Sequence, residues 1–361
     1  MGTGKRIALV SGFWGQNIGN AFFNLGGKWV LEQAAPDSAV DFIQDQPGYR
    51  TFNRKRKGNP PRDVGLLKHL CADVIVLQGP MLTVTFEKLW RETFERLRAR
   101  GTRIVLLSAA LFTYDGREVA AARSFLRRFP PDIVVTRDHD TFEAIRDLCP
   151  VIYDGIDSAF FAPKVYRPFQ LDLDPYIAVT FDRYPEPEFV VRETPAAAEG
   201  TDTCQQFDAL GLHWQARTPR LPQALANRGQ WQAYIGALLD RRQLPTRLGP
   251  FAVVRPEHRF NPHLGWKIYK HPNGIASDEP FTYFTVYAGA ELTLSDRVHA
   301  CVATLAFGRP AMLFSPTPRQ ALFERLGLGD IRQRPVELDA ATLEAERQAE
   351  VAFLRAAMAD L

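Results

Sequence analysis

The chain has 361 residues, with 44 Lys plus Arg against 41 Asp plus Glu and a formal net charge of +3. That balance argues against a nucleic-acid coat or an acidic solvating tail, and the 46% hydrophobic fraction argues against disorder. The length suits two domains that carry charge unevenly: residues 1–168 hold 24 basic and 18 acidic side chains, and residues 169–361 hold 20 and 23.

Cys71, Cys149, Cys204 and Cys301 are far apart and form no C-x-x-C pair, so neither a disulfide framework nor a zinc knuckle is expected. A reducing, cytoplasmic setting fits. Ser11-Gly12 and Gln16-Asn17 break the apolar run Ile7–Val10 before a signal-peptide core can form. No run approaches the ~18 apolar residues of a membrane span.

In chain order, strands are expected at 6–10, 73–78, 103–110, 132–137 and 151–154, with helices near 20–35, 86–100, 118–129 and 140–148. This alternation predicts an α/β protein with parallel sheets, whose ligands bind outside the carboxyl ends of the strands. The Pro-, Asp- and Phe-bearing stretch 155–175 reads as an interdomain connection, giving domains 1–168 and 169–361. The second series predicts strands at 176–181, 251–255, 291–294 and 311–315 and helices at 296–307 and 340–360. Residues 183–249 show weak periodicity and read as an irregular insertion over a cleft, apart from a helix at 230–242.

Residues 291–315, ELTLSDRVHACVATLAFGRPAMLFS, carry the most information. Ser295 suits an N-cap, Gly308 a helix stop, and Pro310 the entry to the next strand. Val298, Cys301, Val302 and Leu305 recur at i, i+3, i+4 and i+7, so they form the packing stripe. Arg297 and His299 flank Val298, ~100° to either side. At the mouth of the helix they can converge on an anion, where free N–H groups and the dipole already favour one. On pattern alone, a surface ion pair and a packing histidine remain equally open.

The run Ser295-Asp296-Arg297-Val298-His299-Ala300, continuing through Ala306-Phe307-Gly308-Arg309-Pro310, resembles the signature of the polysaccharide pyruvyl transferase family. Thr136-Arg137-Asp138 with Thr141 is similar to that family's Arg-Asp-x-x-Ser element, and Asp157-Ser158-Ala159-Phe160 to its Asp-x-x-Phe. Gly12 to Asn20 resembles its Asn-x-Gly-Asp loop. Asn20 stands where the family usually has Asp, and Gln78-Gly79-Pro80-Met81 replaces a glycine-rich loop, so this looks like a divergent branch.

The resemblance implies two Rossmann-like domains in a GT-B-like arrangement with a cleft between them. It also implies transfer of pyruvate from phosphoenolpyruvate to two hydroxyls of a sugar, glycan or lipid-linked glycan as a ketal. Neither metal nor cofactor is expected beyond phosphoenolpyruvate as co-substrate. Arg297 would clamp the donor, since a guanidinium is a rigid bidentate donor. His299 titrates in the right range to be the general acid. Ser295, Arg255, His258, Arg137, Asp138, Asn17, Gly19 and Asn20 are the expected substrate contacts. His258 reads equally, and Arg255 more readily, as a solvated loop charge, and the glycines read equally as an ordinary turn. His263 and His271 read as structural or exposed.

Arg50 to Arg62 holds six basic and no acidic residues. It reads as a solvated loop, or as a contact to a diphosphate-bearing acceptor or an anionic membrane; a nucleic-acid partner is not expected. The rivals to pyruvyl transfer are a GT-B glycosyltransferase using a nucleotide sugar and a non-catalytic glycan-binding protein.

Overall fold

A computed structural model describes residues 4–44, 65–182, 184–195, 204–218, 242–258 and 273–361. The basic stretch 50–62, His263, His271 and the expected helix at 230–242, save its last residue, lie outside the described residues.

The first sheet contains β1 (Arg6–Val10), β2 (Ala39–Ile43), β3 (Val74–Leu82), β4 (Arg103–Leu111), β5 (Ile133–Thr136) and β6 (Ile152–Asp154). All pair in parallel in the order β2-β1-β3-β4-β5-β6. Helices α1 (Gly19–Ala34), α2 (Phe86–Ala99), α3 (Gly116–Arg128) and α4 (His139–Ile145) link them. Strand alternation divides the apolar residues between two faces. Ile7, Leu9, Val74, Val76, Val105 and Leu107 pack towards α1. Ala8, Val10, Ile75, Leu77, Ile104 and Leu106 pack with Phe94 of α2 and Phe125 of α3.

After the short helix α5 (Ala162–Val165) come β7 (Tyr176–Thr180), β8 (Glu188–Arg192), β9 (Cys204–Ala209), β10 (Leu212–Arg217), β11 (Arg247–Leu248), β12 (Phe251–Pro256) and β13 (Gly274–Ile275). The chain continues through α6 (Pro280–Gly289), β14 (Leu292–Ser295), α7 (Val298–Ala306), β15 (Ala311–Leu313), α8 (Ala321–Glu324) and α9 (Ala340–Ala359). The second sheet runs β11-β12-β7-β14-β15, with β13 also on β12.

Three expectations need correction. Residues 183–249 are not irregular throughout: β8, β10 and β9 form an antiparallel sheet. Its inward residues Phe189, Phe207, Trp214 and Ala216 cover Ile177, Val179, Leu292 and Leu294 of the second sheet. Short strands with polar outer faces hid this period of two. The expected strand at 73–78 extends to Leu82, so Gln78–Met81, which replaces the family's glycine-rich loop, is strand; Gly79 bends it at φ 89. Strand β2 was not anticipated, because Asp41 interrupts its short apolar run.

One apolar core joins the halves. It includes Ile7 and Leu9 of β1, Phe22 and Phe23 of α1, Phe284 of α6, Cys301 and Val302 of α7, and Tyr176 and Ala178 of β7. Helices α1, α6 and α7 thus form a shared layer between the sheets. Helix α9, capped by Asp339 through the Thr342 N–H, returns to the first half: Lys5 Nζ bonds Met358 O and Arg355 Nη2 bonds Gln33 O. Among the described residues, no helix is long and apolar enough to cross a membrane.

Candidate functional site

The mouth of α7 is built from the end of β14. Ser295 Oγ donates to Thr180 O at 3.0 Å and accepts the Arg297 N–H at 2.9 Å. Asp296 accepts the N–H groups of Asp182 and Tyr184, pinning the chain after β7. Arg297, in extended conformation, occupies the N-cap position, and Val298 opens the helix. Ser295 is therefore a strut that orients Arg297, and Arg297 rather than Ser295 is the N-cap. Val298, Cys301, Val302 and Leu305 are all buried, as the spacing requires.

Arg297 and His299 both face the first half. Arg297 Nη2 donates to Asn17 Oδ1 at 2.6 Å, and Nη1 lies 3.3 Å from Asp182 Oδ1. His299 Nε2 stands 3.5 Å from Asp157 Oδ2, and the His299 ring lies against Phe23. Gly19 makes this approach possible: a Cβ there would lie 3.0 Å from His299 Nδ1 and 3.3 Å from Asn17 Oδ1. Gly19 thus serves packing.

Asp157 is fully buried. Its Oδ2 accepts from Arg137 Nη1 at 2.9 Å and its Oδ1 from the Ala159 N–H at 2.9 Å. Burial alone would raise this carboxyl, but His299, Arg137 and the Ala159 amide outweigh it and hold the group at about 2. Desolvation lowers His299; Asp157 opposes that, while Arg137 and Arg319 add to it. These shifts favour an ionised carboxylate beside a neutral imidazole. Arg137 is equally buried, and its Nε and Nη2 have no partner among the described residues. Such donors are costly to leave unmet.

Other expected contacts are bonded to protein groups around them. Asp138 Oδ1 caps α4 through the Thr141 N–H and its Oδ2 accepts the Tyr114 hydroxyl, so both oxygens are committed. Arg255 is held on Glu186 by two bonds of 3.0 and 2.8 Å, both side chains buried, and its Nη1 has no partner among the described residues. His258 packs edge-on to Phe22 and Tyr283, its Nε2 is 2.5 Å from Tyr287 Oη, and its carbonyl accepts the Ile18 N–H. It fastens α1 to α6. Asn20 Oδ1 accepts from Asn17 Nδ2 and steadies the residue that meets Arg297.

Three neighbours were not anticipated. Asp157 sat in a recognised motif, but its partners come from distant elements. Asp182, directly after β7, had strand-end position as its signal. Arg319 had none: it follows β15, depresses His299 and lies over the Phe112 ring at 4.7 Å. Gln78 is a further strut. It accepts from Asn24 Nδ2 at 2.9 Å, while Asn24 Oδ1 holds the Gly12 N–H and the Trp14 indole. Among the described residues, no three His, Cys, Asp or Glu side chains gather to hold a metal ion. At this junction Asp157 offsets Arg137 and Asp182 offsets Arg297, with the His299 imidazole between the halves and the Arg319 guanidinium acting on it.

Solved structures of other proteins share the fold, two of them at a TM-score of 0.51. One is a protein from Listeria monocytogenes assigned as a UDP-N-acetylglucosamine 2-epimerase, at TM-score 0.51 and 11% identity over 98% of this chain and 91% of that one. The other is S. aureus MnaA with UDP, at TM-score 0.51 and 12% identity over the same shares. At that identity the likeness establishes the GT-B-type fold alone. No curated protein is significantly similar in sequence. The sequence model of polysaccharide pyruvyl transferases matches residues 17–318, from Asn17 through α7 to the turn bearing Arg319. The chain belongs to the polysaccharide pyruvyl transferase family.

Proposed function

We propose that this protein transfers pyruvate from phosphoenolpyruvate to two hydroxyls of a sugar or glycan, releasing phosphate and forming a cyclic ketal. The observation that carries the reading is Arg137, buried with two unmet N–H donors beside His299. Phosphoenolpyruvate presents a carboxylate and a phosphate, and Arg137, with Arg297 and Arg319 nearby, supplies the positive charge to meet them.

The anion also changes His299. With no anion bound, burial and nearby arginines keep the imidazole neutral. A bound polyanion offsets those cations and raises the histidine, so it gains a proton as the donor arrives. His299 then passes that proton to the methylene carbon of the enol, leaving positive character on the neighbouring carbon. A sugar hydroxyl adds there and loses its proton. Phosphate departs with the electrons of its C–O bond, and a second hydroxyl closes the ketal and loses its proton. Asp157, ionised throughout, stabilises the imidazolium.

The test is phosphate release from phosphoenolpyruvate with a panel of glycan acceptors. His299→Ala should cut the rate by ~10²-fold or more with donor binding retained; a near-normal rate removes His299 from the mechanism. A nucleotide-sugar enzyme would instead be stabilised thermally by UDP or GDP and not by phosphoenolpyruvate.

A further inference from the structure

The C-terminal helix lies beyond residue 318, where the family match ends, yet it reaches the backbone around Asp157. The buried residues of α9 are Leu343, Arg347, Glu350, Leu354 and Met358. That stripe is one an amphipathic helix fills with apolar residues, but two of its five positions are polar, and both serve one segment. Glu350 Oε2 accepts the Ile156 N–H at 2.9 Å, and Arg347 Nε donates to Phe160 O at 3.0 Å. Asp157 lies between these anchors.

The same segment is pinned from the opposite side. Ser108, held at φ 53, accepts the Ser158 N–H on its Oγ at 3.1 Å. Gly26 of α1 comes so close that a Cβ would lie 1.8 Å from Ser158 O; at Gly155 a Cβ would lie 2.5 Å from Glu350 Oε2. Burial pushes the Glu350 carboxyl up to about 8, with Asp157, Glu346 and Arg325 facing it. Its Oε1 has no partner among the described residues. A leucine would fill the position at lower desolvation cost, so the acid is costly unless the bond to Ile156 matters.

We propose that Glu350 and Arg347 are positioning residues: α9 clamps the backbone on both sides of Asp157 and thereby sets the distance from Asp157 to His299. The inference rests on the reading of His299 and Asp157 as the reacting pair, and its test keeps the two separable.

The first readout is an NMR titration of the His299 imidazole, which needs no substrate; the second is steady-state phosphate release. In Glu350→Ala, Asp157 relaxes from His299, which loses the charge that raises it, so its midpoint falls by about half a unit or more. The same change lowers kcat by about tenfold or more and alters KM for phosphoenolpyruvate by less than about threefold. Glu350→Gln keeps an acceptor for Ile156 and restores both readouts. Leu354→Ala, on the same stripe, lowers Tm and leaves both unchanged. If Glu350→Ala does not fold, Arg347→Met is read in its place. A His299 midpoint unmoved in the clamp variants, or moved equally by Leu354→Ala, overturns the proposal. A moved midpoint in a protein that releases no phosphate overturns the functional reading and leaves the clamp standing.

Discussion

Asp157 Oδ2 stands 3.5 Å from His299 Nε2, and the two residues come from opposite halves of the chain. The same oxygen is bonded to Arg137 Nη1 at 2.9 Å, so one buried carboxylate offsets a guanidinium and orients an imidazole. The junction between the halves is therefore an electrostatic unit as well as an apolar one.

Asp157→Asn should destabilise the fold as well as slow the reaction, because Arg137 would be left buried and uncompensated at a cost of ~3–5 kcal/mol. Acid should have a related effect on the native chain. An unfolded Asp titrates near ~3.9, whereas the folded group is held at about 2. Its stabilisation is complete above the first value and is lost as pH falls from about 4 towards 2. Urea unfolding of both proteins at a series of pH values checks this; a variant whose deficit persists unchanged near pH 2 excludes Asp157 as the titrating group.

Much of this architecture was legible in the sequence, for physical reasons. Val298, Cys301, Val302 and Leu305 fell at helical spacing, and they are buried. Runs such as Arg103–Leu111 are too apolar and too short to be anything but inner strands of a covered sheet. What stayed hidden depends on pairings between distant residues. Arg255 and His258 follow a strand end, where ligands bind, yet Glu186 neutralises the first and Tyr287 holds the second. No local pattern announces either partner. Asp157 was similarly opaque, because its significance comes from Arg137 and His299 and not from its neighbours in sequence.

The hold of Glu186 on Arg255 can be checked directly. Arg255→Met should leave phosphoenolpyruvate affinity unchanged in calorimetry while lowering stability by ~3–5 kcal/mol, since Glu186 would remain buried without its counter-ion. A marked loss of donor affinity at unchanged Tm would return Arg255 to the binding site.

Gly19→Ala separates packing from helix propensity. Alanine gains up to ~1 kcal/mol over glycine within a helix, and Gly19 is the first residue of α1. Its Cβ, however, would sit 3.0 Å from His299 Nδ1 and 3.1 Å from His299 Cβ, so the imidazole must shift. The variant should fold with Tm near or above the parent and turn over roughly ten- to hundredfold more slowly. Full activity would mean that His299 has room to spare.

Glu350 allows stability to be moved while function is kept. Folded, it keeps its proton up to about pH 8; unfolded, a glutamic acid releases it near ~4.3. Between those values the folded chain binds more protons than the unfolded one, so stability declines as pH rises across the window. Glu350→Gln removes that decline while keeping an acceptor for the Ile156 N–H. It should match the parent near pH 4 and exceed it near pH 8 by on the order of 2–4 kcal/mol. Denaturant unfolding at pH 4, 6 and 8 measures the divergence. Parallel curves would mean that the acid does not titrate in this range, and that it reached its buried position without the linkage its surroundings imply.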